Sequence, residues 1–170
     1  MIRRVAFGKA VLAGAAGALA WELVLRLLVS LGLPLFDLVY VLGTMALGRA
    51  SAWQWWLTGI TLHAAVGAIW ATFYAYFFWS TFDWPPAVQG LAFSLGPATL
   101  AGLVMVPQMG LMHPLILQGE MPDFGLFAVR QGWGGPVGVL LGHFTHGAAM
   151  GSLYTRPVGY AARRGARTRG

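Results

Sequence analysis

Glu22 and Arg26 stand four residues apart inside an otherwise apolar run, acid before base, the order that favours an ion pair along one helix face. An ionised side chain inside a bilayer costs about 2.5–3.5 kcal/mol on insertion scales, so such a pair has a role that offsets its cost. Two roles suit the chemistry. One is a proton or ion relay. The other is a self-neutralising pair that locks a bundle or docks a neighbouring subunit, and this is favoured because a transport path usually needs acids on more than one helix.

Histidines form the second group. His63 and His143 lie in separate apolar runs, each followed four residues later by glycine and eleven later by tyrosine: His63, Gly67, Tyr74 and His143, Gly147, Tyr154. Offsets of 4 and 11 at ~100° per residue put each trio on one helix face. Two imidazoles at similar depth are the donor set for a b-type haem held from both sides or for a shared metal, with Trp70, Phe73 and Phe144 as lining for a macrocycle. The plainer reading is that both histidines hydrogen-bond between helices, and it is the one expected here, so no cofactor is expected. His146 makes a His-x2-His pair with His143, short of the three or four ligands zinc prefers. His113 reads as an interfacial residue beside Pro114, and Asp37 as a helix cap for the segment beginning at Leu38.

Other chemistry is excluded by what the chain lacks. There is no cysteine, hence no thiolate nucleophile, disulfide or Cys-bound metal cluster. Five acidic residues in 170 leave hydrolases without a paired-carboxylate site, and no phosphate loop or Ser-His-Asp set is present. The expectation is a non-enzymatic protein.

The elements that must carry these residues are set by composition. Hydrophobic residues make up 58% and charged residues 9% of the chain, against about 25% charged in a soluble domain, and mean hydropathy is +0.67. Four apolar stretches, about 9–33, 53–79, 86–112 and 134–155, each exceed the ~20 residues that cross a bilayer as helix, and none alternates with the period of a barrel strand. The expected fold is all-α: a polytopic bundle of four transmembrane helices (1–156), followed by a basic tail (157–170). The connection 34–52 is apolar enough in its middle to lie in the interface, and 113–133 is the longest loop. Pro97 and Pro107 are expected to kink the third span. Trp53, Trp55, Trp56 and Trp133 mark one membrane face, Trp79 and Trp84 the other.

Orientation follows from basic residues. Arg3, Arg4, Lys9, Arg156, Arg163, Arg164, Arg167 and Arg169 fall on the side shared by both termini, Arg49 and Arg130 on the other. Both termini are therefore expected in the cytoplasm, in a cytoplasmic (inner) membrane. The net charge of +6 sits beside apolar runs, which makes lipid headgroups the anionic neighbour rather than nucleic acid. A cleavable signal peptide ending near Ala18-Leu19-Ala20 is the competing reading, but the apolar run continues to Leu33, which favours an anchor.

The matched His-Gly-Tyr trios, with Gly32-Leu33 and Gly110-Leu111 at a similar offset, suggest two copies of a helical hairpin related about the membrane normal. Gly134, Gly138, Gly142, Gly147 and Gly151 form a small-residue stripe for close helix packing, expected against the second span or another subunit. The run Gly32-Leu33-Pro34 through Asp37 to Leu42-Gly43, then Leu62-His63 with Gly67 and Tyr74, then Gly142-His143 with Gly147, Gly151 and Tyr154, resembles a family of small four-helix membrane proteins of bacteria and archaea. That family is uncharacterised, so the resemblance implies the four-span fold and no reaction; His146 and the arginine tail depart from it. The function expected is an accessory or structural subunit of a larger membrane complex. The alternatives are a bis-histidine haem protein of a respiratory or photosynthetic assembly, and a small transporter using Glu22, Arg26 and the kinked span.

Overall fold

The computed structural model describes residues 5–154; the basic tail lies outside them. The described chain is all helix and turn. It runs through α1 (Phe7–Ser30), α2 (Leu38–Leu47), α3 (Ala52–Phe78), α4 (Pro86–Met112), the single turn α5 (Pro114–Leu117) and α6 (Gly134–Leu153). Three helices, α1, α3 and α4, are long and apolar enough to cross a membrane. The fourth expected span is α6. Its 20 residues would cover about 30 Å, but glycines and two histidines dilute its apolarity below that of the other three. Boundaries differ from the sequence expectation by up to three residues: α1 ends at Ser30, where Gly32 turns the chain with φ +90°, and α6 ends at Leu153.

The 34–52 connection holds a helix. Asp37 caps α2 by accepting the Tyr40 N–H at 2.9 Å, and Gly48 ends it with φ +60°. The start of α3 is fixed by Gln54, whose side chain accepts the Ser51 N–H at 3.0 Å, and the start of α4 by Pro86, whose missing N–H costs nothing in a first turn. Two helices widen into π turns, Tyr74–Phe78 at the end of α3 and Ala101–Met105 within α4. The two prolines of α4 behave differently. Pro97 sits in α-helix, whereas Pro107 stands two residues after the π turn, beyond Val106. A π turn accommodates the hydrogen bond that a proline cannot make.

Helix order in space comes from glycine. α1 pairs antiparallel with α3: a Cβ on Gly14 would strike the Gly67 carbonyl oxygen and come within 2.6 Å of Ala71 Cβ. α4 pairs antiparallel with α6: a Cβ on Gly90 would strike the Gly147 carbonyl, and one on Gly151 the Pro86 carbonyl. α6 also lies along α1, with Gly142 against the Trp21 indole and His146 against Gly17. The stripe on α6 therefore packs on α4, on α1 and, through Gly138, on the backbone at Phe36, not on α3 as expected from sequence.

Apolar clusters close both ends. Ala10, Ala13, Ala71, Tyr74, Ala75, Trp79, Met150 and Tyr154 fill the end near the N-terminus, and Phe36, Val41, Val106, Phe124, Ala128 and Val139 fill the opposite, loop end. Trp79, expected at a membrane face, is buried against Tyr154, with ring centroids 5.4 Å apart. At the loop end, Phe127 and Ala128 adopt left-handed backbone (φ +50° and +57°), and the Phe127 ring covers Gly102 in the π turn of α4. His113, expected as an interfacial residue, is fully buried there: its Nδ1 accepts the Leu115 N–H at 3.3 Å, and Nε2 lies 3.0 Å from Thr44 Oγ1 and 3.3 Å from the Val41 carbonyl, tying α2 to the end of α4.

Candidate functional site: a ring-filled core beside a charge trio

Three of the four histidines meet where α1, α3 and α6 converge, in two layers one helical turn apart, with one residue from each helix per layer. The layer nearer the N-terminal end consists of Gly17, Gly67 and His146. A Cβ on Gly17 would lie 2.8 Å from His146 Cδ2, and one on Gly67 3.1 Å from His146 Nε2. The next layer consists of Trp21, His63 and Gly142, with the indole over Gly142 and its ring centroid 4.7 Å from that of His63, edge to face. In each layer glycine on one helix makes room for a flat polar ring from another. Four residues separate Gly17 from Trp21, His63 from Gly67 and Gly142 from His146, so the layers stack because all three helices share the same repeat.

His143 approaches the same indole from α6, with ring centroids 4.7 Å apart, and its Nδ1 lies 2.7 Å from the Val139 carbonyl. The structure therefore brings His63 and His143 onto one group, Trp21, whose apolar type and neighbours gave no sequence signal. It also moves His146 from a minor position to the centre of the helix contact. Phe73, one of the residues expected to line a macrocycle, is half-exposed. Two buried nitrogens here have no hydrogen-bond partner, Trp21 Nε1 and His63 Nδ1, while the His146 ring lies against the Gly14 and Gly67 backbone. Each such group carries a cost of about 1–3 kcal/mol, so the site is rich in unused donor and acceptor capacity. A macrocycle bound between His63 and His143 would need the volume that the Trp21 indole fills. Among the described residues, no three of His, Asp and Glu gather closely enough to hold a metal ion.

One residue beyond Trp21, the expected ion pair is formed: Arg26 Nε donates to Glu22 Oε1 at 2.5 Å. The structure adds a partner that lies eleven residues further along the chain. Arg26 Nη2 donates to Asp37 Oδ1 at 3.0 Å, and the same carboxylate oxygen caps α2. One guanidinium thus bridges two carboxylates, spreading its donors in the fork geometry that lysine lacks. Glu22 is 6% exposed, while the Arg26 side chain is 42% exposed. Among the described residues, Arg26 and Asp37 are the charges that act on Glu22.

Two further ion pairs, Arg49–Glu120 and Arg130–Asp123, lie exposed at the loop end. Arg49 holds the Glu120 carboxyl below its usual range. Beside the second pair is a groove of about 400 Å³ lined by Pro107, Leu111, Leu126 and Val129.

Comparison with known proteins gives no match: no protein-family model, no curated protein and no solved structure is significantly similar to this chain.

Proposed function

We propose that the chain is a small, non-enzymatic, four-span protein of the cytoplasmic membrane, with both termini in the cytoplasm, and that it serves as an accessory subunit of a larger membrane complex. The observation that carries this reading is the Glu22–Arg26–Asp37 trio. Glu22 and Arg26 lie in the last third of apolar α1 and Asp37 at the start of α2, and the trio is partly exposed on an outer face of the bundle beside exposed Leu23 and Leu27. Lipid tails offer no hydrogen bonds to such a group, whereas a neighbouring protein does. α6 serves as the fourth span because it is sheltered: its stripe of glycines faces α1 and α4, so its lower apolarity is not presented to lipid.

Two related hairpins form the architecture. Gly14 with Gly67 and Gly90 with Gly147 are equivalent close contacts between the helices of each hairpin, and the rings of Tyr74 and Tyr154 meet with centroids 6.1 Å apart. The subunit role is tested by gentle purification from native membranes. A stoichiometric partner band is the expected result, and migration as a free monomer overturns the proposal.

A redox role is the second reading. His63 Nδ1, buried and without a partner, favours it, and the Trp21 indole in contact with both rings disfavours it. In it, His63 and His143 hold a haem b. A reduced-minus-oxidised absorbance spectrum without a haem band rejects it.

A further inference from the structure

With both acids ionised, the carboxylates of Glu22 and Asp37 outnumber the Arg26 guanidinium by one, which leaves one negative charge near the loop end of α1. The groups lining this spot, Glu22, Leu25, Arg26, Val29, Leu35 and Asp37, enclose a cleft of about 10 Å³, room for a single water-sized group. On the surface below it, Leu12 (72% exposed) and Leu19 (52% exposed) precede Arg26 at intervals of seven residues, and Leu23 and Leu27 flank it. Seven-residue spacing keeps these positions on one side of α1, the pattern along which a second helix packs.

Resting on the subunit reading above, we infer that this face of α1 receives a transmembrane helix of a partner subunit, and that the helix brings a lysine whose ammonium enters the Glu22–Arg26–Asp37 cleft. The leucines alone do not require a partner, since lipid covers them equally well. The surplus carboxylate does, because Glu22 is 6% exposed on an apolar helix and has little water to screen it. A compact ammonium suits so small a cleft better than a second planar guanidinium, whose fork needs more room. A second copy of this chain is disfavoured as the occupant, because two-fold pairing along the same face would bring two negatively charged trios together.

The test uses the full-length protein in phosphatidylcholine vesicles. The probes are 22-residue leucine–alanine transmembrane peptides with uncharged polar flanks, each carrying a dansyl group and one variable residue at the depth of Glu22. Energy transfer from the protein's eight tryptophans reports association. The lysine peptide is expected to associate about tenfold more tightly than the leucine peptide, with arginine between them and glutamate weakest. In Asp37→Asn and Glu22→Gln the preference for lysine should fall to within twofold. Asparagine caps a helix as well as aspartate, so Asp37→Asn retains α2, and far-ultraviolet circular dichroism checks both variants. Equal association of the lysine and leucine peptides with the native protein overturns the inference, as does a lysine preference that survives both substitutions. Native membranes distinguish the docking face from the subunit role. A partner that co-purifies unchanged with the Glu22→Gln, Asp37→Asn double variant leaves the subunit reading standing and overturns this docking face; a native protein that purifies as a free monomer overturns the subunit reading itself.

Discussion

Substituting alanine at two glycines of α1 should change stability in opposite directions. Gly8 has open space where a Cβ would be, so Gly8→Ala restricts the unfolded backbone without touching a neighbour. The gain is about 0.5 kcal/mol, part of the full difference in helix propensity because the site is in the first turn. At Gly14 the same methyl would overlap the Gly67 carbonyl oxygen and stand 2.6 Å from Ala71 Cβ and 2.7 Å from Ala68 Cα. All three obstacles are backbone or Cβ atoms, which cannot rotate away. α1 and α3 must separate by about 1 Å, enough to forfeit a quarter to a half of the dispersion along their contact. Overpacking of this kind costs about 1–3 kcal/mol, so Gly14→Ala should be destabilising by about 2 kcal/mol, roughly 30-fold in the folding equilibrium, despite alanine's better propensity. Titration of each variant with sodium dodecyl sulfate in mixed micelles, followed by circular dichroism, measures the difference. If Gly14→Ala unfolds at the same or a higher detergent fraction than Gly8→Ala, the close contact between α1 and α3 is refuted.

Trp21→Ala should cost about 3 kcal/mol, the low end for truncating a buried tryptophan, because the indole fills the space shared by His63, His143 and Gly142; an unchanged midpoint in the same titration would contradict that packing. At the loop end, burial pushes His113 below the usual histidine pKa. The folded state therefore prefers the neutral ring and the unfolded state binds the proton more readily. The stabilisation is complete above about pH 6.5 and declines as pH falls below it. Hydrogen exchange at Val41, Thr44 and Leu115 should accelerate at pH 5 relative to pH 7.5 beyond the intrinsic change, and His113→Gln should remove that excess; acceleration that persists in the variant would refute the assignment. Arg49→Gln should leave the unfolding midpoint unchanged, since an exposed pair is screened by solvent, and a clear shift would show that the Arg49–Glu120 contact orders the loop end.

The core histidines and the charge trio share one structural cause. α1 is the helix that touches both α3 and α6, and Trp21 and Glu22 are adjacent on it, so one side chain enters the three-helix contact while the next turns toward the groove beneath Asp37. Substitutions at Trp21 are thus expected to disturb Glu22 as well, whereas Asp37→Asn acts on the trio alone.

Sequence by itself determined the helical class, the three membrane-length helices α1, α3 and α4, the Glu22–Arg26 pair and the Asp37 cap. All of these are local: a run of apolar residues, an i,i+4 spacing and a cap act within a few residues of the chain, and the backbone's need for internal hydrogen bonds in an apolar medium leaves helix as the outcome. The glycines of α6 were legible as a packing stripe, but their partners were not. Only the tertiary structure decided that Gly147 meets Gly90, that Gly142 lies under Trp21 and that His146 enters the cradle of Gly17 and Gly67. The same holds for Asp37 as a second acid on Arg26, for His113 as a buried link and for Trp79 as a core residue. A glycine records that something comes close without recording what, and a tryptophan in an apolar run carries no mark that two imidazoles rest on it. Those identities depend on the rotation and crossing of whole helices, which many weak contacts spread along the chain decide together.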